Sequence, residues 1–279
     1  MSYRIACDVH THTVFTRHAY STVGENIAAC RALDMELLGS ADHFSSMLFP
    51  DQHLRNFQYF LNQSCWPRVW DGVVLLRGAE TDIVTLDGGL FGQDIDCPET
   101  IVGRAYSSDG SLFDRVTDGL DYVIASVHNG DFTKGAPIAR TTNMYVQALE
   151  NPKVFILGHT GRSGVPFDID EVLTVAKEKG KLIEINEHSL EIDTRGWFHS
   201  VCSRIAQRCA EMGVGIVVSS DAHIAPSVGR FPHAQSMLEG IGFPEELIMN
   251  RDRRSLLEAL DAAGICDLTD LADLAEYEA

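Results

Sequence analysis

The sequence predicts an α/β protein on a parallel sheet, and three observations lead there. Short β-branched runs alternate with longer segments of helical spacing seven times along the chain, the order expected of strand, crossover and strand. The strands are apolar on both faces, as in Val154-Phe155-Ile156-Leu157, which fits burial from both sides and favours a closed or nearly closed barrel. A doubly wound open sheet is the alternative. The length of 279 residues suits a single barrel domain, since such barrels run to about 250 residues.

The strand-like runs cover residues 4–10, 37–43, 73–83, 122–128, 154–159, 182–186 and 215–221. Helical spacing occupies residues 24–33, 51–64, 142–149, 168–178, 197–212 and 231–239. Asp168 and Asp170 stand before Glu171-Val172-Leu173 as candidate caps, and Gly180 follows as a stop. No linker is long enough to divide the chain, so residues 1–279 read as one domain. Residues 86–119 break the repeat. Punctuated by Asp87-Gly88-Gly89, Gly92 and Ser107-Ser108-Asp109-Gly110, they read as an inserted loop or hairpin over the active face. Residues 265–279 read as an exposed amphipathic or frayed tail.

Charge excludes several partners. With 40 acidic and 22 basic side chains the net charge is −18, and no run of Lys and Arg offers a surface to duplex nucleic acid or to an anionic membrane. No apolar stretch approaches the roughly 20 residues of a membrane-spanning helix. Met1 to Asp8 has no apolar core of the kind a signal peptide needs. Seven cysteines (Cys7, Cys30, Cys65, Cys97, Cys202, Cys209, Cys266) are scattered and include no C-x-x-C pair, which points to reduced thiols in a cytoplasmic protein.

The histidines fall where barrel enzymes carry chemistry. His10 and His12 close the first strand, His18 follows in its loop, and His43, His128 and His159 each end a later strand. Asp221 and His223 end the last one, and Glu80 sits in the third. In a barrel all of these project from the C-terminal face of the strands. An H-x-H pair on an extended segment places both rings on one side, where they can share a cation. Imidazole and carboxylate without thiolate suit Zn, Mn or Fe, and Glu80 can bridge two ions. Nine such ligands would fill two or three sites and leave positions open for water, which makes a metal-bound hydroxide near neutral pH. His53, His199 and His233 lie in helix-like stretches and receive no role.

These segments resemble the PHP (polymerase and histidinol phosphatase) metal-dependent phosphoesterases, most closely the YcdX-type phosphatases. The resemblance rests on Asp8-Val9-His10-Thr11-His12-Thr13, His18-Ala19-Tyr20-Ser21-Thr22, Ala41-Asp42-His43, Arg77-Gly78-Ala79-Glu80, Ser126-Val127-His128, Leu157-Gly158-His159, Glu184-Ile185-Asn186 and Ser219-Ser220-Asp221-Ala222-His223, in the same order over residues 4–260. It implies a distorted (βα)7 TIM-like barrel and three divalent ions. His10, His12, Glu80 and Asp221 would hold the first, Glu80 with His128 and His159 the second, and His18, His43 and His223 the third. It further implies hydrolysis of a small-molecule phosphate monoester by the metal-bound hydroxide. Histidinol phosphate and phosphodiesters are alternative substrates, and a non-catalytic metal-binding module is the alternative of another class.

Departures from the pattern lie in loops. The interval from Glu80 to His128 is about twenty residues longer than the YcdX-type pattern, and Asn129-Gly130-Asp131 and Thr160-Gly161-Arg162-Ser163-Gly164 also differ. Arg17 either grips a substrate phosphate as a bidentate fork or pairs with a surface carboxylate. His188 is a candidate general acid for the leaving alkoxide, set against an ordinary loop histidine. Asp42 either receives the second N–H of a metal-bound imidazole or caps a helix. The nearest enzyme rival, a metal-dependent amidohydrolase, would bridge its ions with a modified lysine, and no strand-end lysine is evident. A homo-oligomer stays open.

Overall fold

The computed structural model describes residues 3–273. In chain order its strands are β1 (Cys7–Thr11), β2 (Leu37–Ser40), β3 (His43–Phe44), β4 (Val69–Trp70), β5 (Val73–Asp82), β6 (Tyr122–Ser126), β7 (Val154–Leu157), β8 (Leu182–Asn186) and β9 (Ile216–Ser219). Seven of them line up in parallel in the order β1, β2, β5, β6, β7, β8, β9. The strand expected over 37–43 breaks after Ser40, and the two-residue β3 resumes beside the upper half of β5, pairing His43 with Glu80. The short β4 runs antiparallel to the start of β5.

The barrel closes between its first and last strands by a substitute for a ladder. Thr11 and Ala222 form a single parallel bridge, and the His12 N–H donates to the Ala222 carbonyl at 2.9 Å. Further down the seam the wholly buried Asn250 amide stands in for peptide groups. Its Nδ2 donates to the carbonyls of Cys7 (2.7 Å) and Val218 (2.6 Å), and its Oδ1 accepts the Val218 N–H at 2.9 Å. Backbone groups that the seam would leave unpaired are thus satisfied.

Period two explains how one strand serves both core and site. On β5, Val74 and Leu76 belong to a core cluster shared with Leu37, Tyr122, Ile124 and Val217, while Val73 and Leu75 belong to a second cluster with helical residues. The first face continues through Gly78 to Glu80 and Asp82. On β6 it runs Tyr122, Ile124, Ser126, on β8 Leu182, Glu184, Asn186, and on β9 Val217, Ser219, Asp221. Each face passes from apolar to polar toward the C-terminal end of its strand.

Nine α-helices accompany the strands: α1 (Val23–Ala32), α2 (Gln58–Leu61), α3 (Leu112–Thr117), α4 (Ile138–Glu150), α5 (Ile169–Glu178), α6 (Glu187–Glu191), α7 (Trp197–Met212), α8 (Pro232–Ile241) and α9 (Arg253–Ala262), counted among the described residues. Thr22 and Glu25 form a capping box on α1. Asp168 caps α5 by accepting the Glu171 N–H at 3.1 Å, whereas Asp170 lies inside the first turn. The helix expected over 51–64 is instead the short α2 flanked by two 3-10 turns, Leu54–Phe57 at its start and Gln63–Cys65 at its end. Leu54, Phe57, Phe60 and Gln63 are all buried, and their spacing of three residues suits 3.0 residues per turn.

Two further expectations are corrected. Residues 86–119 pair as a hairpin-like excursion through the Asp96–Ser111 and Glu99–Ala105 bridges, but none of them lines the cleft at the strand ends. They fold through a tight turn, with Val84 N–H donating to the Gly89 carbonyl at 2.8 Å, and end in α3, whose Leu112 and Phe113 join Phe44, Phe57 and Phe91 in the core. Their apolar residues therefore build the β5 to β6 crossover. Helix α9 carries no expected element in the sequence, yet Leu256, Leu257 and Leu260 pack into the cluster that includes Leu37 and Val217. The tail from 265 is not frayed through Asp273: Leu271 and Ala272 are buried in that cluster, and Arg253 Nη2 donates to the Ala272 carbonyl at 2.8 Å. The remainder of the tail, residues 274–279, lies outside the described residues.

Candidate metal centre

Glu80 is the hub of the strand ends. Its Oε1 lies 2.8 Å from His159 Nε2 and 3.3 Å from His128 Nε2. Its Oε2 lies 2.8 Å from His43 Nδ1, 3.2 Å from His10 Nε2 and 3.7 Å from His12 Nε2. The two oxygens thus face two sets of imidazoles. Burial pushes the Glu80 carboxyl up, but His10, His128 and His43 outweigh that effect and hold it well below the usual carboxylate range. His12 is held well below the usual histidine range by its burial and by His43 beside it, so it stands as a neutral imidazole, the form that coordinates a cation.

The other sequence-derived positions gather around this hub. His12 Nε2 lies 3.0 Å from Asp221 Oδ1, and His10 Nε2 3.8 Å from the same oxygen. The His18 ring centroid is 5.2 Å from that of His43 and 4.9 Å from that of His223. Three groups have donor atoms close enough to share an ion: His10, His12 and Asp221; His43, Glu80 and His128; and His12, His43 and His223. All nine positions come together, but His12 and His43 each serve two groups, while His18 and His159 stand beside the groups instead of within one.

The donor set suits metal ions on its own chemistry. His159 Nδ1 is buried without a hydrogen-bond partner, and the contacts of His10 Nε2 and His43 Nδ1 with Glu80 Oε2 lack hydrogen-bond geometry, so these donor atoms are incompletely satisfied. Such atoms are costly unless something else occupies them. The opposite ring nitrogens are anchored: His10 Nδ1 lies 2.6 Å from Glu184 Oε1, and His128 Nδ1 lies 2.6 Å from Asp82 Oδ1. Those anchors fix the orientation of the two rings and turn their Nε2 atoms toward Glu80. Backbone strain collects here as well, since His159 (φ 25°) and Asp221 (φ 54°) both have left-handed backbones.

Some supports are absent from the sequence-derived set. Glu184 also accepts the His159 N–H at 2.5 Å and the Ser219 hydroxyl, and Asp82 accepts the Ser45 hydroxyl at 2.5 Å. Strand period was the available signal, because Asp82 lies two residues beyond Glu80 on one face and Glu184 precedes Asn186 in the same way. Asp42 touches no imidazole and caps no helix with its side chain. It accepts Thr13 N–H and Thr16 Oγ1, each at 2.7 Å, and reaches His12 only through Thr16, whose Oγ1 is 3.3 Å from His12 Nδ1.

A cleft of about 440 Å³ opens over the cluster. Besides cluster residues, Met47, Arg162, His188, Glu191 and Ile224 line it. Arg17 is not there. Its left-handed backbone (φ 68°) turns it so that Nη1 donates to the Leu48 carbonyl at 2.7 Å and the guanidinium sits 5.3 Å from the Phe49 ring centroid. Both readings of Arg17, as phosphate fork and as carboxylate partner, are therefore replaced. The guanidinium in the cleft is Arg162, with Nη2 3.2 Å from Asp221 Oδ2. His188, on α6, borders the cleft with its ring centroid 6.4 Å from that of His223 and Nδ1 3.6 Å from Glu191 Oε2.

A carboxylate-centred histidine cluster at the C-terminal mouth of a parallel barrel defines the class, a barrel hydrolase equipped to hold metal ions. No protein-family model matches the chain. Among curated proteins it is 37% identical over 257 residues to a probable phosphatase of Clostridium acetobutylicum, covering 92% of this chain and 95% of that one. It is 38% identical over 250 residues to a probable phosphatase of Caldanaerobacter subterraneus, covering 90% and 89%. Among solved structures, the histidinol phosphate phosphatase of Lactococcus lactis, complexed with zinc, L-histidinol and phosphate, superposes with a TM-score of 0.53 at 15% identity, covering 86% of this chain and 94% of that one. The chain belongs to the PHP-type phosphatases, metal-dependent hydrolases of phosphate esters.

Proposed function

We propose that the protein hydrolyses a small-molecule phosphate monoester at a centre of three divalent ions, Zn, Mn or Fe. The observation that carries this reading is the division of Glu80, whose two oxygens face separate sets of imidazoles. His10, His12, Glu80 and Asp221 would hold one ion, Glu80, His128 and His159 a second, and His18, His43 and His223 the third. Bound there, the ions supply Lewis acidity toward phosphoryl oxygens and lower the pKa of water.

The protein's own groups do the rest. Arg162 presents a guanidinium to the cleft and binds a phosphoryl oxygen while sharing its other edge with Asp221. Glu184 and Asp82 hold the His10 and His128 rings in one orientation. His188 delivers a proton from its ring to the leaving alkoxide at the cleft edge. Cysteines that are all free accord with a cytoplasmic location.

Elemental analysis of the purified protein, paired with a phosphatase assay on an aryl phosphate before and after chelation, tests the proposal. About three ions per chain, with activity lost on chelation and regained with metal, is the expected result. No bound metal and no activity with Zn, Mn or Fe overturns it. Histidinol phosphate and a phosphodiester belong in the same substrate panel, and a faster rate on either would replace the generic monoester. An unchanged pH-rate profile in His188→Gln removes that residue from the reaction.

A further inference from the structure

Two exposed apolar side chains stand among the polar groups of the cleft. Met47 is 46% exposed and Ile224 43% exposed, and both line the cavity above the histidines. Neither is a buried member of either core cluster. A single exposed apolar residue is ordinary. Two bordering one cleft, outside the core, are surface kept free for a ligand.

Both are also fixed relative to the cluster. The Met47 N–H donates to Ser45 Oγ at 3.1 Å, and Ser45 donates to the Asp82 carboxylate that anchors His128. Ile224 directly follows His223, and the next backbone N–H, that of Ala225, donates to Ser21 Oγ at 2.8 Å. The apolar surface therefore keeps a set distance from the place where a phosphoryl group would sit. Glu191 borders the same cleft, so a second anionic group on the substrate would meet like charge there.

We infer that Met47 and Ile224 select the leaving group, and that the substrate is a phosphate monoester whose leaving portion is uncharged and presents an apolar face. This inference rests on the phosphatase reading above. The cleft volume suits a ligand of this size. Arg162 and the histidine cluster bind the phosphoryl end, which every phosphate monoester shares, so discrimination among leaving groups falls to the two apolar side chains together with Glu191.

Calorimetric titration of the metal-loaded protein with phenylphosphonate and with methylphosphonate tests this without turnover. Phenylphosphonate is expected to bind roughly tenfold more tightly, the gain from covering one ring face. In Met47→Ser/Ile224→Ser that preference is expected to collapse to within about twofold, while Met47→Leu/Ile224→Val retains it. The ratio of kcat/KM for phenyl phosphate over glycerol phosphate is expected to fall in parallel. Equal affinities in the wild type, or a preference that survives the double serine variant, overturn the inference and leave the phosphatase reading intact. Failure to bind either phosphonate overturns that reading and the inference with it.

Discussion

Glu184 joins His10 to His159: its Oε1 lies 2.6 Å from His10 Nδ1 while its Oε2 accepts the His159 backbone N–H at 2.5 Å. One fully buried carboxylate thereby orients an imidazole on the first strand and fixes the strained backbone of a second histidine, whose ring stacks 6.1 Å from the first. Burial pushes the Glu184 carboxyl up, but the facing His10 overcomes this and holds it below the usual range. Glu184→Gln keeps the shape and removes the charge. Metal retained after dialysis, or activity, is expected to fall about 10- to 100-fold. Unchanged metal content and rate would show that Glu184 only fills space.

Asn250 replaces a missing ladder between β1 and β9. Asn250→Ala leaves the carbonyls of Cys7 and Val218 and the Val218 N–H without partners, and is expected to cost about 3 kcal/mol. Denaturant unfolding measures that loss, and amide exchange should rise first at Val218. A cost below about 0.5 kcal/mol would mean that water restores the seam.

Tyr122 fills the barrel interior because two neighbouring strands carry glycine there. A Cβ at Gly78 would lie 2.6 Å from Tyr122 Cζ, and one at Gly39 would lie 2.1 Å from its hydroxyl. Gly78→Ala is expected to destabilise by about 1–3 kcal/mol through overpacking. Adding Tyr122→Leu should recover part of the loss, so the two changes are non-additive. Strict additivity in a double-mutant cycle would refute the contact.

Lys181 enters β8 with its Nζ donating to the Val154 carbonyl at 2.5 Å, and burial pushes its ammonium down to about 8 from the ordinary 10.5. Between those two values the unfolded chain holds a proton that the folded chain has released. Stability therefore rises with pH across that window, and the cost of burying the charge is fully present below it. Lys181→Met is expected to melt higher than wild type at pH 7, with the difference shrinking toward pH 10. A Tm difference that is constant with pH would show that the amine is not desolvated.

The strands and the residues that gather at their ends were legible in the sequence because both follow from local rules. A run apolar on both faces is a buried strand wherever it occurs, and His10 and His12 lie on one side of β1 because extended side chains repeat every two residues. Asp168 caps α5 through a contact three residues away. What depends on distant segments was not legible. Arg17 and Arg162 are alike as residue types, and only the turn after His159, set against Asp221 from another strand, brings Arg162 into the cleft while Leu48 and Phe49 hold Arg17 outside it. Asn250 seals a seam by reaching Cys7, 243 positions away, and Leu271 is buried only because α9 lies beneath the barrel. Sequence periodicity determined which faces carry imidazole and carboxylate. The grouping of those ligands, the supports behind them and the shape of the cleft were decided by tertiary contacts, whose partners no local pattern encodes.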